Sequence, residues 1–457
     1  MTLIPLDANA PATPLVAVRA DGLDAVLATL PAGAGGHARA CGFSAEAGSH
    51  CLLPDGDGGL AAVLVGAGDA GDPWNLAGLP LLLPAGDYRL DPRGLGLDPL
   101  PAGLGWALGG YQFSRYRQPR RAPARLALPV DLLGALQPVV EAVTLVRDLV
   151  NTPTEHMGPA ELAEATSRLA DRHGAQVRVI EGDDLLAQNF PAIHAVGRAS
   201  HRPPRLIELD WGDEGHPRLA LVGKGVCFDT GGLDIKPADG MLRMKKDMGG
   251  AAHALALAGL VMAGGLPVRL KLLIPAVENA IGPDAYRPGE VIATRKGLSV
   301  EIGNTDAEGR VILSDALTYA AEWQPALLLD FATLTGAARI ALGPDLPALF
   351  ANDEALAGDL LAAGLRQRDP LWRMPLHAPY AAFLDSPIAD LNNAAASKHA
   401  GCITAALFLQ RFVPEDLPWA HLDVYSWNDG ARPGRPAGGE AQGLRAYHAM
   451  LQARFGG

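Results

Sequence analysis

The chain has 457 residues, with 50 Asp and Glu against 38 Lys and Arg, giving a formal charge of -12. That acid excess argues against a polyanion partner, because a protein that neutralises phosphates needs a basic footprint. The length suits two or three domains that each bury a core. Aromatic residues are only 5% of the chain, so packing must rest on Ala, Leu, Val and Gly. The four cysteines, Cys41, Cys51, Cys227 and Cys402, show no CxxC spacing, which fits a reducing compartment and no zinc finger. The opening MTLIPLDANAPATP lacks a basic stretch followed by an unbroken apolar run, so no signal peptide is expected and the cytoplasm is the expected location.

The first part of the chain alternates short apolar runs with turns: LVAVRA (15–20), a helical DGLDAVLATL (21–30), GLAAVLV (59–65), LPLLLPA (79–85) and GLGWALGGYQF (103–113). This pattern predicts a small N-terminal α/β domain over residues 1–125. Arg115, Arg117, Arg120, Arg121 and Arg125 crowd around two prolines and read as a solvated linker. From Asp131, apolar residues recur at three- and four-residue spacing up to Val150, before Asn151-Thr152-Pro153. They predict a connecting helix within a 126–155 linker region.

Beyond it, strand-like QVRVIEG, RLALVG (218–223), VRLKLLIPA (268–276), ALLLDFATL (326–334) and WAHLDV (419–424) alternate with helical stretches near 249–263, 310–323, 354–367 and 402–413. Such alternation predicts a larger C-terminal domain, 156–457, built on a central mixed sheet flanked by helices. Residues 248–268 carry no formally charged side chain over a bilayer-spanning length. Their glycines, His253 and Pro267 instead predict a buried Ala-rich helix and a turn, with no membrane partner.

In open α/β sheets, ligands sit outside the carboxyl ends of strands, and three clusters fall there. The first is Gly223-Lys224-Gly225 through Asp229-Thr230-Gly231-Gly232, followed by Asp234 and Lys236-Pro237. It lacks the GxxxxGK[ST] spacing of a phosphate loop. The second is Met244-Lys245-Lys246-Asp247-Met248-Gly249-Gly250, and the third Gly303-Asn304-Thr305-Asp306-Ala307-Glu308-Gly309-Arg310. Singly, Asp247 or the Asp306/Glu308 pair reads as an acid at a helix start. Together, the three loops bring carboxylates that need a compensating cation. Hard oxygen ligands suit Zn²⁺, Mn²⁺ or Mg²⁺ in a two-metal site, where a bridging hydroxide attacks a polarised carbonyl. No HExxH occurs, which excludes a helix-borne single-zinc protease.

These residues closely resemble the leucyl aminopeptidase (cytosol aminopeptidase) family. Its NTDAEGR signature stands at Asn304–Arg310. The series VGKG, FDTGG, IKP and DMGGAA runs in order through 222–252, and FATLTGA (331–337) and GCITAALFL (401–409) follow. The similarity covers roughly residues 140–457, whereas the N-terminal part matches only in outline, as a macro-like domain, apart from GGYQFSRYR at 109–117. The resemblance implies that Lys224, Asp229, Asp247 and Glu308 hold one divalent ion and that Asp229, Glu308 and Asp306 hold the other. It implies that Lys236 stabilises the gem-diolate oxygen and that Arg310 holds a bicarbonate serving as general base. Met244, Thr333 and Gly336 would line the side-chain pocket and Leu334 would contact substrate through its backbone, favouring Leu or Met at the substrate N-terminus. It also implies peptide substrates with a free N-terminus and a homohexamer. Asp234, two residues before Lys236, is placed to pair with it.

Two rival readings use other features. Gly66-Ala67-Gly68-Asp69-Ala70-Gly71 is a GxGxxG that would serve an NAD-binding oxidoreductase, although Pro73 follows almost at once. Alternatively, the acids would hold a structural metal in a non-catalytic oligomer.

Overall fold

The computed structural model describes residues 2–7, 9–31 and 33–456. The chain forms two compact units, Met1–Thr144 with Gly430–Ala437, and Leu145–Asp429 with Gly438–Gly457. The division falls inside the long helix Val130–Asn151, and the chain returns to the first unit at 430–437. No contiguous partition such as 1–125, 126–155 and 156–457 has that form.

The first unit is built on six strands, β1 (Leu3–Pro5), β2 (Thr13–Val18), β3 (His50–Pro54), β4 (Leu60–Gly66), β5 (Asp87–Asp91) and β6 (Arg125–Leu128), in the order β1-β6-β5-β2-β4-β3. Every pair is parallel except β3 with β4. One face packs Leu15, Val63, Leu76, Trp106 and Leu126, and the other Val16, Val18, Leu27, Phe43 and Leu64. That arrangement explains why β2 and β4 read as near-continuous apolar runs. The apolar run 79–85 forms turns rather than a strand, since Pro80 and Pro84 lack the donors a ladder needs. The stretch 103–113 lies largely in the helix Pro99–Gly109. In the Arg-rich stretch, Arg125 forms a two-pronged pair with Asp87 across β6 and β5, and Arg121 donates to the Leu83 carbonyl.

The GxGxxG reading does not survive. Gly66 closes β4, and the next element is a single 3-10 turn, Pro73–Asn75, capped by Asp72. With no α-helix directly after the glycines, no helix N-terminus is available for a pyrophosphate.

The second unit carries strands β7 (Gln176–Glu181), β8 (Arg205–Trp211), β9 (Arg218–Gly223), β10 (Gly225–Asp229) and β11 (Arg269–Asn279), then β12 (Val291–Ala293) and β13 (Ser299–Glu301). They are followed by β14 (Leu327–Ala332), β15 (Ala348–Ala351), β16 (Trp372–Arg373), β17 (Leu391–Asn392) and β18 (Trp419–Asp423). The main sheet runs β16-β15-β18-β14-β9-β11-β8-β7, with β10 also paired to β11. Its centre, β18-β14-β9-β11, is parallel, and antiparallel strands extend both edges. The fold is therefore the expected two-domain α/β architecture with mixed sheets flanked by helices.

The uncharged segment forms the helix Gly249–Ala263, in which 13 of 15 residues are buried. It is apolar all round because it is enclosed all round. Among the described residues, no helix is long and apolar enough to cross a membrane. Its glycine start has a steric reason: a Cβ on Gly223 would lie 2.6 Å from the Ala251 Cα, and one on Gly250 would lie 2.8 Å from the Ala332 Cα. The helix N-terminus thus sits directly against the ends of β9 and β14. At these two adjacent parallel strands the connections diverge to opposite sides, the switch point where α/β sheets open a crevice.

Candidate active site

The crevice is a cavity of about 340 Å³ whose lining includes Lys224, Asp229, Lys236, Asp247, Asp306 and Glu308. Each comes from the carboxyl end of a strand or the loop beyond it. Lys224 follows β9, Asp229 ends β10, and Asp247 lies in the 3-10 turn Met244–Met248. Asp306 lies in the turn Thr305–Ala307, and Glu308 opens the helix Glu308–Glu322.

The acids do stand at helix or turn starts, but they do not cap the helices that follow. Met248 and Ala307 occupy the N-cap positions, and neither they nor the acids make a side-chain cap bond there. Asp247 Oδ1 instead accepts the Thr333 hydroxyl at 2.8 Å, and Asn304 caps the short turn by accepting Asp306 N–H.

Two lysines divide the acids between them. Lys224 Nζ stands 2.8 Å from Asp247 Oδ2 and 2.9 Å from Glu308 Oε1, and donates to the Thr333 carbonyl at 2.9 Å. Lys236 Nζ stands 2.8 Å from Asp229 Oδ2 and also pairs with Asp306 Oδ1. Asp247 Oδ2, Asp306 Oδ1 and Glu308 Oε1 are buried and held by ion pairs with these two lysines, and the buried Glu308 Oε2 has no hydrogen-bond partner. Two ammonium groups thus serve four carboxylates and leave Glu308 Oε2 unsatisfied, and a buried polar group left so costs ~1–3 kcal/mol.

The electrostatics carry the same tension. Burial pulls the Lys224 ammonium down, but Asp247, Glu308 and Asp229 outweigh it and its net shift is upward. Lys236 behaves alike, with Asp229 and Asp306 overcoming burial. Burial and the Asp229 charge push Asp306 up to about 6 and hold Glu308 well above the usual carboxylate range. Lys246, buried beside the cluster, is pulled down to about 8 mainly by burial. An excess of buried negative charge is what a multivalent cation relieves.

The residues fit divalent ions. Asp229, Asp306 and Glu308 each offer a carboxylate oxygen, all within 4.8 Å of one another, and Lys224 Nζ stands 2.9 Å from Glu308 Oε1. Hard oxygens with one amine suit Zn²⁺, Mn²⁺ or Mg²⁺.

Residues 144–447 match the cytosol aminopeptidase family, catalytic domain, and residues 13–129 match the M17 aminopeptidase, N-terminal domain. The chain belongs to the cytosol aminopeptidase family. It is thus a metallo-exopeptidase, a hydrolase of a family that uses divalent metals. It is similar to a probable cytosol aminopeptidase of Syntrophotalea carbinolica, 42% identical over 394 residues that span 80% of this chain and 79% of that one. The crystal structure of cytosol aminopeptidase from Coxiella burnetii is 50% identical, with a TM-score of 0.96, and covers 99% of both chains. The bottromycin maturation enzyme BotP, solved in complex with Mn, is 35% identical with a TM-score of 0.87, covering 97% of this chain and 100% of that one.

The expected substrate-contacting residues of this aminopeptidase, Met244, Thr333, Leu334 and Gly336, all line the same cavity. Arg310 does not. It is buried in the helix, donates from Nη1 to the Asn393 carbonyl at 2.8 Å, and keeps Nε without a partner. Burial lowers its pKa to about 10, so it remains a cation at neutral pH.

Several supporting residues escaped sequence reasoning. Asn279 donates to both Asp229 Oδ1 and the Thr305 carbonyl, tying β11 to two ligand loops. Asn393 brackets Asn304, donating to its carbonyl and accepting its N–H. Asp423, at the end of β18, accepts Leu334 N–H at 2.9 Å and the Thr335 hydroxyl at 2.6 Å. Asp423 had a legible signal, an acid closing an apolar strand. The two asparagines had none.

Proposed function

We propose that this metallo-aminopeptidase uses two divalent ions, Zn²⁺ or Mn²⁺, to release N-terminal residues, preferably Leu- or Met-like, from peptides. The observation that carries the reading is the convergence of four carboxylates, Asp229, Asp247, Asp306 and Glu308, from three strand ends on one cavity, where two lysines pair with them and Glu308 Oε2 is left without a hydrogen-bond partner. In this reading Lys224, Asp229, Asp247 and Glu308 hold one ion, and Asp229, Asp306 and Glu308 the other. The ions would supply Lewis acidity toward the scissile carbonyl and an activated water.

The chain's own groups do the rest. Lys224 gives up its proton to serve as a ligand, while Lys236 keeps its charge and moves from Asp229 and Asp306 to the oxygen that becomes negative in the transition state. The buried Arg310 guanidinium, with a free Nε, would hold a bicarbonate as the proton acceptor. Met244, Thr333 and Gly336 form an apolar pocket for the first side chain, and Leu334 presents backbone to the substrate. A methylene in such a pocket is worth only ~1–3 kcal/mol, so discrimination among apolar residues is broad. By resemblance to its family, the protein would act as a cytoplasmic homohexamer, an expectation that sedimentation of the purified chain tests.

The decisive experiment removes metal with a chelator and follows Leu-p-nitroanilide. Activity should vanish, return with Mn²⁺ or Zn²⁺, and be absent on the N-acetylated substrate. Metal-loaded protein that leaves free N-termini untouched would overturn the reading.

A further inference from the structure

Outside the peptidase cavity, one other cluster of metal-binding side chains is assembled among the described residues, in the first unit. His37 and Cys41 stand four residues apart at the end of the helix Ala34–Ala40, with Cys41 N–H bonded to the His37 carbonyl. That spacing puts both side chains on one face, and His37 Nε2 lies 3.5 Å from Cys41 Sγ. The third member, Cys51, is on the edge strand β3, which pairs with β4 alone. Its side chain is buried in the apolar cluster that includes Ala38, Phe43 and Leu53. One nitrogen and two sulfurs, brought together from a helix and a strand, all lie within 4.8 Å of one another.

We propose that His37, Cys41 and Cys51 form a second metal site, which takes a thiophilic cation such as Zn²⁺ and leaves one coordination position open to solvent.

The dimensions suit it. Around a tetrahedral ion with metal–sulfur bonds near ~2.3 Å and metal–nitrogen bonds near ~2.0 Å, neighbouring ligand atoms stand roughly 3.5–3.8 Å apart. The observed His37–Cys41 separation already falls there. The donor set also separates this site from the peptidase centre, whose cavity lining contains no cysteine or histidine. Thiolate with imidazole selects Zn²⁺, Cd²⁺ or Cu⁺, while carboxylates select harder ions. Cys51 is anchored in the core and His37 and Cys41 are exposed, so an ion would enter from solvent and clip the helix to the sheet edge.

The proposal is independent of the peptidase mechanism, and Cd²⁺ tests it on the intact chain. Reduced protein titrated with Cd²⁺ should develop a thiolate-to-metal charge-transfer band in the ultraviolet that saturates at one equivalent per chain. Asp306→Asn, which addresses the oxygen cluster, should leave the band unchanged. Cys41→Ser and His37→Ala, both at exposed positions, should abolish or markedly weaken it while Leu-p-nitroanilide hydrolysis persists. Cys51→Ser should do the same if its interior position tolerates the change, and the two exposed variants decide the question if it does not. Zn²⁺ should raise the unfolding temperature of Asp306→Asn protein by more than that of the Asp306→Asn/Cys41→Ser double variant, because the remaining oxygen-ligand site contributes equally to both. Absence of the band, its persistence in Cys41→Ser, or a Cys41–Cys51 disulfide in protein purified under reducing conditions would each overturn the site.

Discussion

Asp234 turns its carboxylate to Thr305 and not to Lys236: its Oδ2 accepts Thr305 N–H at 2.7 Å, while Asp234 N–H donates to Thr305 Oγ1 at 2.9 Å. The same hydroxyl donates to the Gly231 carbonyl at 2.6 Å. Two loops that are far apart in sequence are thereby laced together between Asp229 and Asp306. Asp234→Ala is expected to loosen Asp306 and weaken metal affinity by about 10–100-fold, the usual effect of removing a group that orients a ligand. Chelator competition measures it, and wild-type affinity would show that Asp234 serves only the local turn.

The division of labour in the cavity is tested by separating metal content from rate. Asp306→Asn and Glu308→Gln should lose metal and activity together, because each removes a carboxylate charge from the cluster. Lys236→Ala should keep its metal and lose kcat, since its proposed contact strengthens only in the transition state. Metal analysis beside steady-state kinetics distinguishes the two classes. Loss of metal from Lys236→Ala would mean that the lysine organises Asp229 and Asp306 rather than the reaction.

The parts of this molecule that are legible in its sequence share a physical cause. β9, β14 and β18 are enclosed on both faces and therefore read as apolar runs, and the residues after them are polar because the crevice is there. Lys224, Asp229, Asp247, Asp306 and Glu308 group together because glycine-flanked acids at several strand ends repel one another unless a shared cation holds them. β3 and β5 escape the pattern because HCLLP and DYRLD are short and carry polar or proline residues at sheet positions. The return of residues 430–437 to the first unit leaves no mark in composition. Asn279 and Asn393 act by bonding backbone carbonyls of distant loops, a property that only the folded arrangement defines.

Below the cavity, His421 Nδ1 lies 2.6 Å from Asp330 Oδ1, and Asp330 Oδ2 accepts the Trp419 indole N–H at 2.7 Å, all fully buried. Burial pulls the His421 pKa down, but Asp330, with Asp423 beyond it, more than compensates, and the net shift is upward. A folded-state pKa above the unfolded one means that protonated His421 contributes stability fully present below about 6.5 and lost as pH rises through the raised value. Asp330→Asn should remove that increment. The difference in unfolding temperature between wild type and variant, measured with chelator present, should therefore be largest in mild acid and shrink toward alkaline pH. The variant should be less stable by ~1–3 kcal/mol at the acid end, from lost pairing and an unsatisfied buried donor. A difference that is constant with pH would show that His421 is neutral in the folded protein throughout.

Gly309 supplies the sharpest steric test of the site. It lies in the first turn of the helix Glu308–Glu322, and a Cβ there would stand 2.7 Å from Lys224 Nζ and 2.8 Å from Lys224 Cδ. Lysine tails usually yield, but this one is pinned by Asp247, Glu308 and the Thr333 carbonyl. Alanine is favoured over glycine within helices by roughly 1 kcal/mol, which partly offsets the ~1–3 kcal/mol cost of crowding a packed site, so Gly309→Ala should fold with at most modestly reduced thermal stability. Displacing Lys224 should nevertheless cut kcat/KM at least about tenfold, equivalent to ~1.4 kcal/mol, and reduce metal content. Leu-p-nitroanilide kinetics and metal analysis of the same preparation check this. Full activity in a stable Gly309→Ala protein would show that Lys224 is free to move without consequence, and so is not a ligand.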